Sequence, residues 1–440
     1  MYKVLILGAG LVSGPMVRYL LDLPDFQVTV ASRTVSKAEA LVGDHPRGNA
    51  RAINVHDEQS LSDVVSTHDL VVSLLPYVFH LEVAHQCLKH KKHLVTTSYT
   101  KPEMLALDDA ARNADLIFLN EIGLDPGIDH MSAMRVIDEV QCNGGEITTF
   151  MSYCGGLPAP EANTNPLGYK FSWSPRGVIM AGKNPAHYLW DEEEVNVPDG
   201  TLFDNYWPVD IPEVGRFEGY PNRDSMPYTD IYGINPTTTM FRGTLRYPGW
   251  CETIKALVDL GMLSDSEIEG VKEKNLCDVT ESLVDEGDGD LLTRTAAKLN
   301  TAPDSQAIKN LAWLGFFDQI PVPEGCKSYM DVLVARMLEM MEYAPGERDM
   351  IVLYDVFYAE YPNRTERITS TLVDYGIPNG DSAMARTVSL PAAIAIKLIA
   401  QNKIKSRGVM VPVLPEIYHP VLDELETLGI SCKEETTRLT

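Results

Sequence analysis

Cations and paired cysteines are scarce in this 440-residue sequence. Lys and Arg number 37 against 62 Asp and Glu, and the formal net charge of −25 argues against nucleic acid and anionic membrane surfaces as partners. The seven cysteines are scattered, without metal-type spacing, so we expect no metal site and a reducing compartment. No charged-then-apolar leader precedes the first strand and no apolar run is long enough to span a bilayer, which predicts a cytoplasmic protein.

The N-terminus contains a glycine-rich turn between a predicted strand and a predicted helix. An apolar run, 3–7, leads into Gly8 and Gly10, and a helical pattern follows. The first glycine lets the chain turn, and the second lets the backbone approach a pyrophosphate, which the helix N-terminus stabilises. Ser13 stands where a third glycine is usual, with Gly14 after it. The pattern predicts a dinucleotide-binding site, with an ordinary turn as the alternative.

The end of the second predicted strand indicates which dinucleotide would bind. Strand 27–31 runs into Ser32, Arg33 and Thr34, at the position where an NAD-binding protein carries an acidic residue for the ribose hydroxyl. A carboxylate would repel a 2′-phosphate, whereas a guanidinium and two hydroxyls bind it through charge-assisted hydrogen bonds. The sequence therefore predicts NADP(H) as the cofactor, with a solvated loop cation as the alternative interpretation of Arg33.

Strand-like and helix-like segments alternate through the first 120 residues. Further predicted strands are 52–54, 70–74, 93–96 and 116–119, and predicted helices are 79–90 and 102–113. Such alternation predicts an α/β fold with a Rossmann-type, doubly wound parallel sheet. Ligands bind such sheets outside the carboxyl ends of the strands, so we expect the loops there to converge on one crevice. These loops are Asn54-Val55, Leu75-Pro76, Thr97-Ser98-Tyr99 and 123–127.

Beyond residue 130 the pattern predicts a sheet interrupted by helices. A strand over 147–154 ends at Gly155-Gly156, and a helix begins at Ser174-Pro175, a capping serine followed by proline. Later predicted segments are strands 237–247, 350–359 and 365–373, and a helical stretch, 264–345, before the last two. The segments expected to return to the first domain are an apolar run at 390–399, a strand at 409–411 and a helix from Pro420.

Five long motifs resemble those of a known enzyme family. They are 121–130 (EIGLDPGIDH), 152–160 (SYCGGLPAP), 165–174 (NPLGYKFSWS), 220–225 (YPNRDS) and 242–247 (RGTLRY). In these motifs the chain resembles the saccharopine dehydrogenases, in their NADP-dependent, glutamate-forming form, which is also called saccharopine reductase. The resemblance extends over nearly the whole chain, and the helical stretch and the C-terminal tail match less recognisably.

The resemblance implies an oxidoreductase that acts on a CH–NH group in lysine biosynthesis by the aminoadipate pathway. It would reduce the imine of 2-aminoadipate 6-semialdehyde and L-glutamate with NADPH, giving saccharopine, a small molecule that carries several carboxylates. Two alternatives stay open. One is a carboxynorspermidine- or carboxyspermidine-type reductive condensation enzyme, and the other is a non-catalytic dinucleotide-binding regulatory protein.

The predicted organisation combines two domains and an insertion. The Rossmann domain comprises 1–125 and about 385–440, and the α/β substrate-binding and dimerisation domain comprises about 126–263 and 346–384. The helical insertion covers about 264–345. The family resemblance further implies a homodimer.

The family's motifs also imply which residues meet the ligands. The cofactor residues are Gly8, Ala9, Gly10, Leu11, Val12, Ser32, Arg33, Thr34, Asn54, Val55, Leu75, Ser98, Leu124, Asp125, Pro126 and Ser174. The substrate residues are Ser98, Tyr99, Asp125, Arg223, Thr244, Leu245 and Arg246. Arg223 and Arg246 stand in turn-rich, polar segments suited to bidentate carboxylate binding, although either could be a surface arginine.

Forming the imine and losing water require proton transfers. Tyr99, Asp125 and Cys154 are the candidate acid–base residues, because each is ionisable and expected near the substrate. A buried cysteine is more often a packing residue than a catalyst, so packing is the alternative for Cys154. His80 and His130 are interpreted as structural histidines.

Overall fold

The computed structural model describes residues 1–439 of the chain. The strands are β1 (Tyr2–Leu7), β2 (Phe26–Ser32), β3 (Gly48–Ala52), β4 (Leu70–Ser73), β5 (His93–Thr96), β6 (Ile117–Leu119), β7 (Glu146–Pro158), β8 (Ala186–Trp190), β9 (Glu193–Val197), β10 (Trp207–Ile211), β11 (Gly215–Pro221), β12 (Thr239–Arg246), β13 (Asp349–Tyr361), β14 (Arg364–Tyr375), β15 (Gly408–Met410) and β16 (Lys433–Arg438). The α-helices are α1 (Gly14–Asp22), α2 (Val35–Val42), α3 (Glu58–Ser66), α4 (His80–His90), α5 (Pro102–Leu105), α6 (Asp108–Asn113), α7 (Ile128–Cys142), α8 (Pro175–Met180), α9 (Pro227–Ile231), α10 (Trp250–Asp259), α11 (Leu276–Glu281), α12 (Leu291–Lys298), α13 (Gln306–Trp313), α14 (Tyr329–Met340), α15 (Ala383–Ala400) and α16 (Pro415–Thr427).

By contact the chain divides into two compact units. The first comprises Met1–Ile147, Ile231–Ile234 and the chain from Tyr358 onward. The second comprises Thr148–Asp230 and Asn235–Phe357. This division does not test the domain limits expected from the sequence, which stay a prediction.

The first unit contains a parallel sheet in the order β15-β6-β5-β4-β1-β2-β3. Leu7, at the end of β1, is in register with Ala31 and Ser73, so the carboxyl ends of these strands meet at one edge. The central strands are apolar because both faces are covered, and Leu94 and Phe118 are fully buried there. The predicted doubly wound sheet is confirmed, and β15 joins it beside β6 from the far end of the chain.

The second unit is built on a mixed sheet. Its strands follow the order β10-β11-β12-β7-β13, with β8 beside β12 and β9 beside β8. β12 runs parallel to β7 and antiparallel to β11. Helices α10 to α14 lie between β12 and β13 in the chain. The predicted second α/β region with a helical insertion is therefore confirmed.

Several predicted boundaries are wrong. β3 is Gly48–Ala52 rather than 52–54, because this largely exposed strand has no apolar run to mark it. β7 continues through the two glycines to Pro158, and the predicted helix 102–113 is divided into α5 and α6. Helix α16 begins at Pro415, before the predicted Pro420. Strands β8 to β11 and β16 were not predicted, and β16 is exposed along its whole length, so no alternation of apolar residues announces it.

Helix α15 overturns the expectation that no apolar run could span a bilayer. It has 18 residues and a mean hydropathy of 1.5, enough to cross a membrane by length and composition, and 78% of it is buried inside the protein. Burial on all sides is typical of a core helix that is apolar all round. The prediction began at residue 390, whereas the helix begins at Ala383, because small residues in its first half conceal its length.

Candidate cofactor and substrate sites

The glycine turn after β1 is held closed by a buried serine. Gly8 has φ +116°, and a Cβ there would lie 2.9 Å from the Leu74 carbonyl oxygen, so glycine is required. The Ser13 hydroxyl accepts a hydrogen bond from the Gly10 N–H at 3.1 Å and donates to the Gly8 carbonyl oxygen at 3.2 Å. Ser13, in place of the usual third glycine, therefore ties the turn together from inside the protein.

The outer face of the same turn is open to a ligand. Leu11 is 72% exposed, and a Cβ on Gly10 would meet no atom within 4 Å. Within residues 1–439, the backbone N–H groups of Leu11 and Val12 have no hydrogen-bond acceptor. Such N–H groups just before a helix are the donors that a pyrophosphate needs, so the turn fits the predicted dinucleotide.

A cavity of about 290 Å³ opens beside the glycine turn. The predicted cofactor residues that line it are Gly8, Ala9, Gly10, Ser32, Arg33, Thr34, Val55 and Leu75. Pro76, expected at the crevice as part of the Leu75-Pro76 loop, also lines it, and the lining residues that were not predicted are Lys37, Ile53, His56, Leu74 and Phe79. Each of these stands within a few residues of a predicted one, so taking the whole loop after each strand would have found most of them.

Two exposed cations line this cavity. Arg33 and Lys37 form no ion pair within the part of the chain that the structure describes, although the net charge is −25. Beside them, the Thr34 N–H donates to the Ser32 hydroxyl at 3.3 Å. A 2′-phosphate would supply the missing negative charge, so this set of residues fits NADP(H).

The other predicted cofactor residues do not line this cavity. They are Leu11, Val12, Asn54, Ser98, Leu124, Asp125, Pro126 and Ser174. Leu11 and Val12 belong to the glycine turn, and the Asn54 side chain accepts a hydrogen bond from the His56 N–H at 3.2 Å. Ser174 lies in the second unit, where its hydroxyl caps α8 by accepting from the Gly177 N–H at 3.3 Å. The cofactor contacts assigned to these residues stay predictions.

Two of the candidate acid–base residues lie together in the first unit. The Tyr99 hydroxyl donates to Asp125 Oδ1 at 2.5 Å. Tyr99 follows β5 and Asp125 follows β6, and both side chains are partly exposed. A phenol hydrogen-bonded to a carboxylate can pass a proton in either direction, which suits the formation and loss of water.

A buried chain of polar groups lies behind the Asp125 loop. His130 Nε2 lies 2.9 Å from Glu121 Oε2, and His130 Nδ1 lies 2.5 Å from the Tyr232 hydroxyl oxygen. Glu121 Oε1 also accepts from the Thr100 N–H at 2.8 Å. Burial alone would raise the pKa of Glu121, but the hydrogen bond and charge of His130 and the Thr100 N–H outweigh it and lower that pKa to about 2. These contacts fit the interpretation of His130 as a structural histidine.

In the second unit, Arg246 is a buried cation among aromatic rings. It is the last residue of β12 and is 5% exposed, so the turn-rich, polar setting expected for it is wrong. Its guanidinium carbon lies 4.9 Å from the ring centre of Tyr169 and 5.6 Å from that of Trp250. Cation–π contacts stabilise the charge but leave its N–H groups available.

The N–H groups around Arg246 are incompletely used. Arg246 Nη1 donates to the Leu245 carbonyl oxygen at 2.7 Å, whereas Arg246 Nε and Trp250 Nε1 have no hydrogen-bond partner among residues 1–439. Glu218 pairs with Arg246 in the sheet, but its carboxylate accepts from two backbone N–H groups at the start of α10. Buried donors without acceptors beside an unpaired cation fit an anionic ligand.

The remaining predicted residues lie around the same sheet. Thr244 is on β12 two residues before Arg246, and Cys154 is in register with it on β7. Cys154 is buried within its strand. Arg223 lies in an exposed loop at φ +60°, and its carbonyl oxygen accepts from the His187 N–H at 2.9 Å. In residues 1–439, no group of three or more His, Cys, Asp or Glu side chains could hold a metal ion.

The parallel sheet, the glycine turn and the unpaired cations define a Rossmann-type, NADP(H)-binding protein. Two family descriptions match the chain: "Saccharopine dehydrogenase NADP binding domain" over residues 4–119 and "Saccharopine dehydrogenase C-terminal domain" over residues 123–430. The chain belongs to the saccharopine dehydrogenase family, as its motifs predicted.

Relatives and a solved structure agree over the full length. The chain is 41% identical over 447 residues to "Saccharopine dehydrogenase (NADP(+), L-glutamate-forming)" of Schizosaccharomyces pombe, covering 99% of each. An apo saccharopine dehydrogenase (L-Glu forming) from Saccharomyces cerevisiae matches with a TM-score of 0.90 and 40% identity, over 99% of this chain and 100% of that one. "Alpha-aminoadipic semialdehyde synthase, mitochondrial" of Bos taurus is 39% identical, but the match covers only 48% of that protein. The predicted fold class and NADP(H) cofactor are confirmed.

Proposed function

We propose that this protein reduces the imine of 2-aminoadipate 6-semialdehyde and L-glutamate with NADPH, producing saccharopine in lysine biosynthesis by the aminoadipate pathway. Full-length similarity to fungal proteins named as L-glutamate-forming saccharopine dehydrogenases supports the proposal. The structural observation that carries it is Arg246, a buried guanidinium that has no carboxylate partner among residues 1–439 of a strongly acidic chain. Such a group suits a substrate that carries a carboxylate, and the full-length relatives favour the glutamate-forming reaction over the polyamine-type alternative.

The reaction needs a cofactor, a place for carboxylates and a path for protons. The aldehyde and the glutamate amine condense with loss of water, and NADPH, when bound, supplies the hydride that converts the imine to an amine. The turn residues Gly10 to Val12 would hold the pyrophosphate, and Arg33 and Lys37 would hold the 2′-phosphate.

Arg246 would bind one substrate carboxylate inside the second unit. The rings of Tyr169 and Trp250 shield its guanidinium from water, so a charge-assisted hydrogen bond made there is stronger than one on the surface. The indole N–H of Trp250, which has no acceptor among residues 1–439, would be a further donor for the same anion. Arg223 and Thr244 would add contacts to the remaining polar groups of the substrate, with Leu245 beside them.

Tyr99 and Asp125 would move the proton that imine formation requires. The tyrosine hydroxyl could give its proton to the carbinolamine hydroxyl group, which then leaves as water, while the carboxylate 2.5 Å away takes up the proton that the nitrogen loses and passes it back to the tyrosine. Ser98, next to Tyr99, would contact substrate or cofactor at the same edge of the sheet. Cys154 is the weaker acid–base candidate because it is buried within β7, where packing accounts for it.

An NADPH-oxidation assay tests this function. Purified protein should consume NADPH only when both 2-aminoadipate semialdehyde and glutamate are present, with saccharopine as the product. Omitting glutamate is the matched control. Turnover with a diamine and aspartate semialdehyde instead would establish the polyamine-type alternative. Tight NADPH binding without turnover on either pair would favour the regulatory protein.

We also propose a cytoplasmic homodimer without nucleic-acid or membrane partners. Seven cysteines without a disulfide support a reducing compartment, and the net charge of −25 disfavours anionic partners. The family resemblance supports the dimer. Because the bovine relative is named mitochondrial, fractionation of the native cell is the test of location. Light scattering at micromolar concentration should give a dimer, and a strict monomer would contradict this proposal.

A further inference from the structure

A buried histidine connects two strand ends in the first unit. His80 is the first residue of α4 and is 5% exposed. Its Nδ1 lies 2.9 Å from the hydroxyl oxygen of Ser73, the last residue of β4. Its Nε2 lies 2.9 Å from the hydroxyl oxygen of Ser98, just after β5. These three side chains form a continuous line of hydrogen bonds that ends in the candidate reaction site.

The contacts of Ser73 determine which nitrogen of His80 carries the proton. A neutral imidazole has one N–H donor and one acceptor nitrogen, and burial keeps this ring neutral by lowering the pKa of His80 to about 4. Ser73 is fully buried, and within residues 1–439 its hydroxyl has His80 as its one partner. A proton on Nδ1 would leave the Ser73 O–H without an acceptor. Nδ1 is therefore the acceptor, and the proton is on Nε2.

The direction of the next hydrogen bond follows from this tautomer. His80 Nε2–H donates to the Ser98 hydroxyl oxygen, so the Ser98 O–H cannot donate back to the histidine and is available to a ligand. Ser98 is partly exposed, as is its neighbour Tyr99, which binds Asp125. Without His80, the Ser98 hydroxyl would rotate freely among several orientations.

We propose that His80 is a positioning residue that holds Ser98 as a hydrogen-bond donor toward a carbonyl or carboxylate oxygen of the bound substrate or cofactor. His80 acts only through Ser98, and Ser73 selects its tautomer. The proposal deepens the proposed function and rests on it for the ligand that Ser98 meets. The tautomer of His80 can be tested without turnover, so the positioning role and the proposed function can fail separately.

Nitrogen NMR of the full-length, histidine-labelled protein tests the tautomer. Long-range proton–nitrogen correlations should show His80 protonated at Nε2 near neutral pH, with its signals assigned by their loss in His80→Gln. Ser73→Ala should turn this single tautomer into a mixture, because the acceptor nitrogen is no longer specified. A wild-type protein with His80 protonated at Nδ1 would overturn the proposal, whatever the protein's substrate.

A double-mutant cycle tests the action through Ser98. His80→Phe and Ser98→Ala should each lower kcat/KM about tenfold, and the double variant should be no worse than either single variant. His80→Gln should recover most of the activity, since its amide can accept from Ser73 and donate to Ser98. If NADPH affinity, measured by fluorescence titration, falls together with kcat/KM in these variants, the oxygen that accepts the hydrogen bond of Ser98 belongs to the cofactor. If only the substrate KM or kcat changes, it belongs to the substrate.

The matched control is His85→Phe, on an exposed position of the same helix, which should leave kcat/KM unchanged. Losses that multiply in the double variant would overturn the proposal. If His80→Phe does not fold, His80→Gln still tests the proposal. A loss of kcat/KM in His80→Gln as large as that in Ser98→Ala would contradict the positioning role. A wild-type protein with the expected tautomer and tight NADPH binding that makes no saccharopine would contradict the proposed function alone.

Discussion

The two candidate anion sites hold their cations in opposite environments. Arg33 and Lys37 stand exposed at the cofactor cavity, whereas Arg246 is 5% exposed among aromatic rings. Exposed charges attract a ligand over distance but are screened by water and salt, while a buried charge interacts strongly with whichever carboxylate reaches it. We therefore expect cofactor preference to come from several additive surface charges, and substrate affinity to depend heavily on one buried group.

The largest effect is expected from Arg246→Met. Losing one charge-assisted, bidentate contact costs about 2–3 kcal/mol, so the KM for an amino-acid substrate should rise about 30- to 150-fold, with kcat changed far less. Arg246→Lys should restore only part of the lost substrate affinity, because the point charge of an ammonium group does not reproduce the planar fork of a guanidinium. Initial rates at saturating NADPH measure both variants.

The stability of the same variant sharpens the comparison. Because Arg246 has no carboxylate partner among residues 1–439, Arg246→Met should leave the Tm unchanged or raise it. Arg216→Met, on an exposed position of β11, is the matched control for both measurements. If NADPH affinity and Tm both collapse in Arg246→Met, the residue belongs to the fold or the cofactor site, and the carboxylate assignment is wrong.

A smaller effect is expected from the exposed cations. Arg33→Ala and Lys37→Ala should each raise the KM for NADPH about tenfold and leave the KM for NADH almost unchanged, since NADH lacks the 2′-phosphate. Lys3 is an exposed cation at the start of β1, and Lys3→Ala should change neither the KM for NADPH nor the KM for NADH. Steady-state kinetics with both cofactors give the answer. Equal efficiency of the wild-type enzyme with NADPH and NADH would contradict the assignment of these residues.

Ionic strength should change the KM for NADPH more than the KM for the amino-acid substrate, and this effect should be smaller still. Raising ionic strength from about 0.05 M to about 0.5 M should raise the KM for NADPH about fivefold, because its binding cations are exposed. The KM for the amino-acid substrate should change less, since Arg246 is shielded from solvent. Parallel titrations of both constants test this. An equal dependence on salt would mean that burial does not distinguish the sites.

The smallest effect concerns mild acid, which should act on the first unit and not on the Arg246 cluster. Burial lowers the pKa of His80 from its ordinary 6.5 to about 4, so the unfolded chain takes up a proton before the folded one does. Stability is therefore lost as the pH falls from 6.5 toward 4, by about 0.8 kcal/mol at about pH 6. Urea unfolding should show a smaller loss in His80→Gln than in the wild type, and part of the loss should remain because burial also lowers the pKa values of His68 and His93. The same loss in both proteins would exclude His80 as its source.

Much of the cofactor site could be predicted because its residues follow strand ends in sequence. The glycine turn, Ser32 to Thr34 and Leu75 each come directly after an apolar run, and the parallel register brings those ends together. Lys37 was missed because it lies on α2 beyond the loop, where no strand end points to it. β3 was misplaced and β16 was missed, because largely exposed strands lack the apolar pattern on which the prediction depends.

The sequence by itself determined the alternation of strands and helices, the preference for NADP(H) and the family, because turn chemistry, periodicity and motifs are local properties of the chain. Only the tertiary structure decided that Arg246 is buried, that Tyr99 meets Asp125 and that His80 joins Ser73 to Ser98. The physical reason is that burial and side-chain hydrogen bonds depend on residues from distant segments. The context of Arg246 in the sequence reads as polar, and of the rings that enclose it Trp250 follows closely in the chain, whereas Tyr169 comes from a distant segment that only folding brings to it.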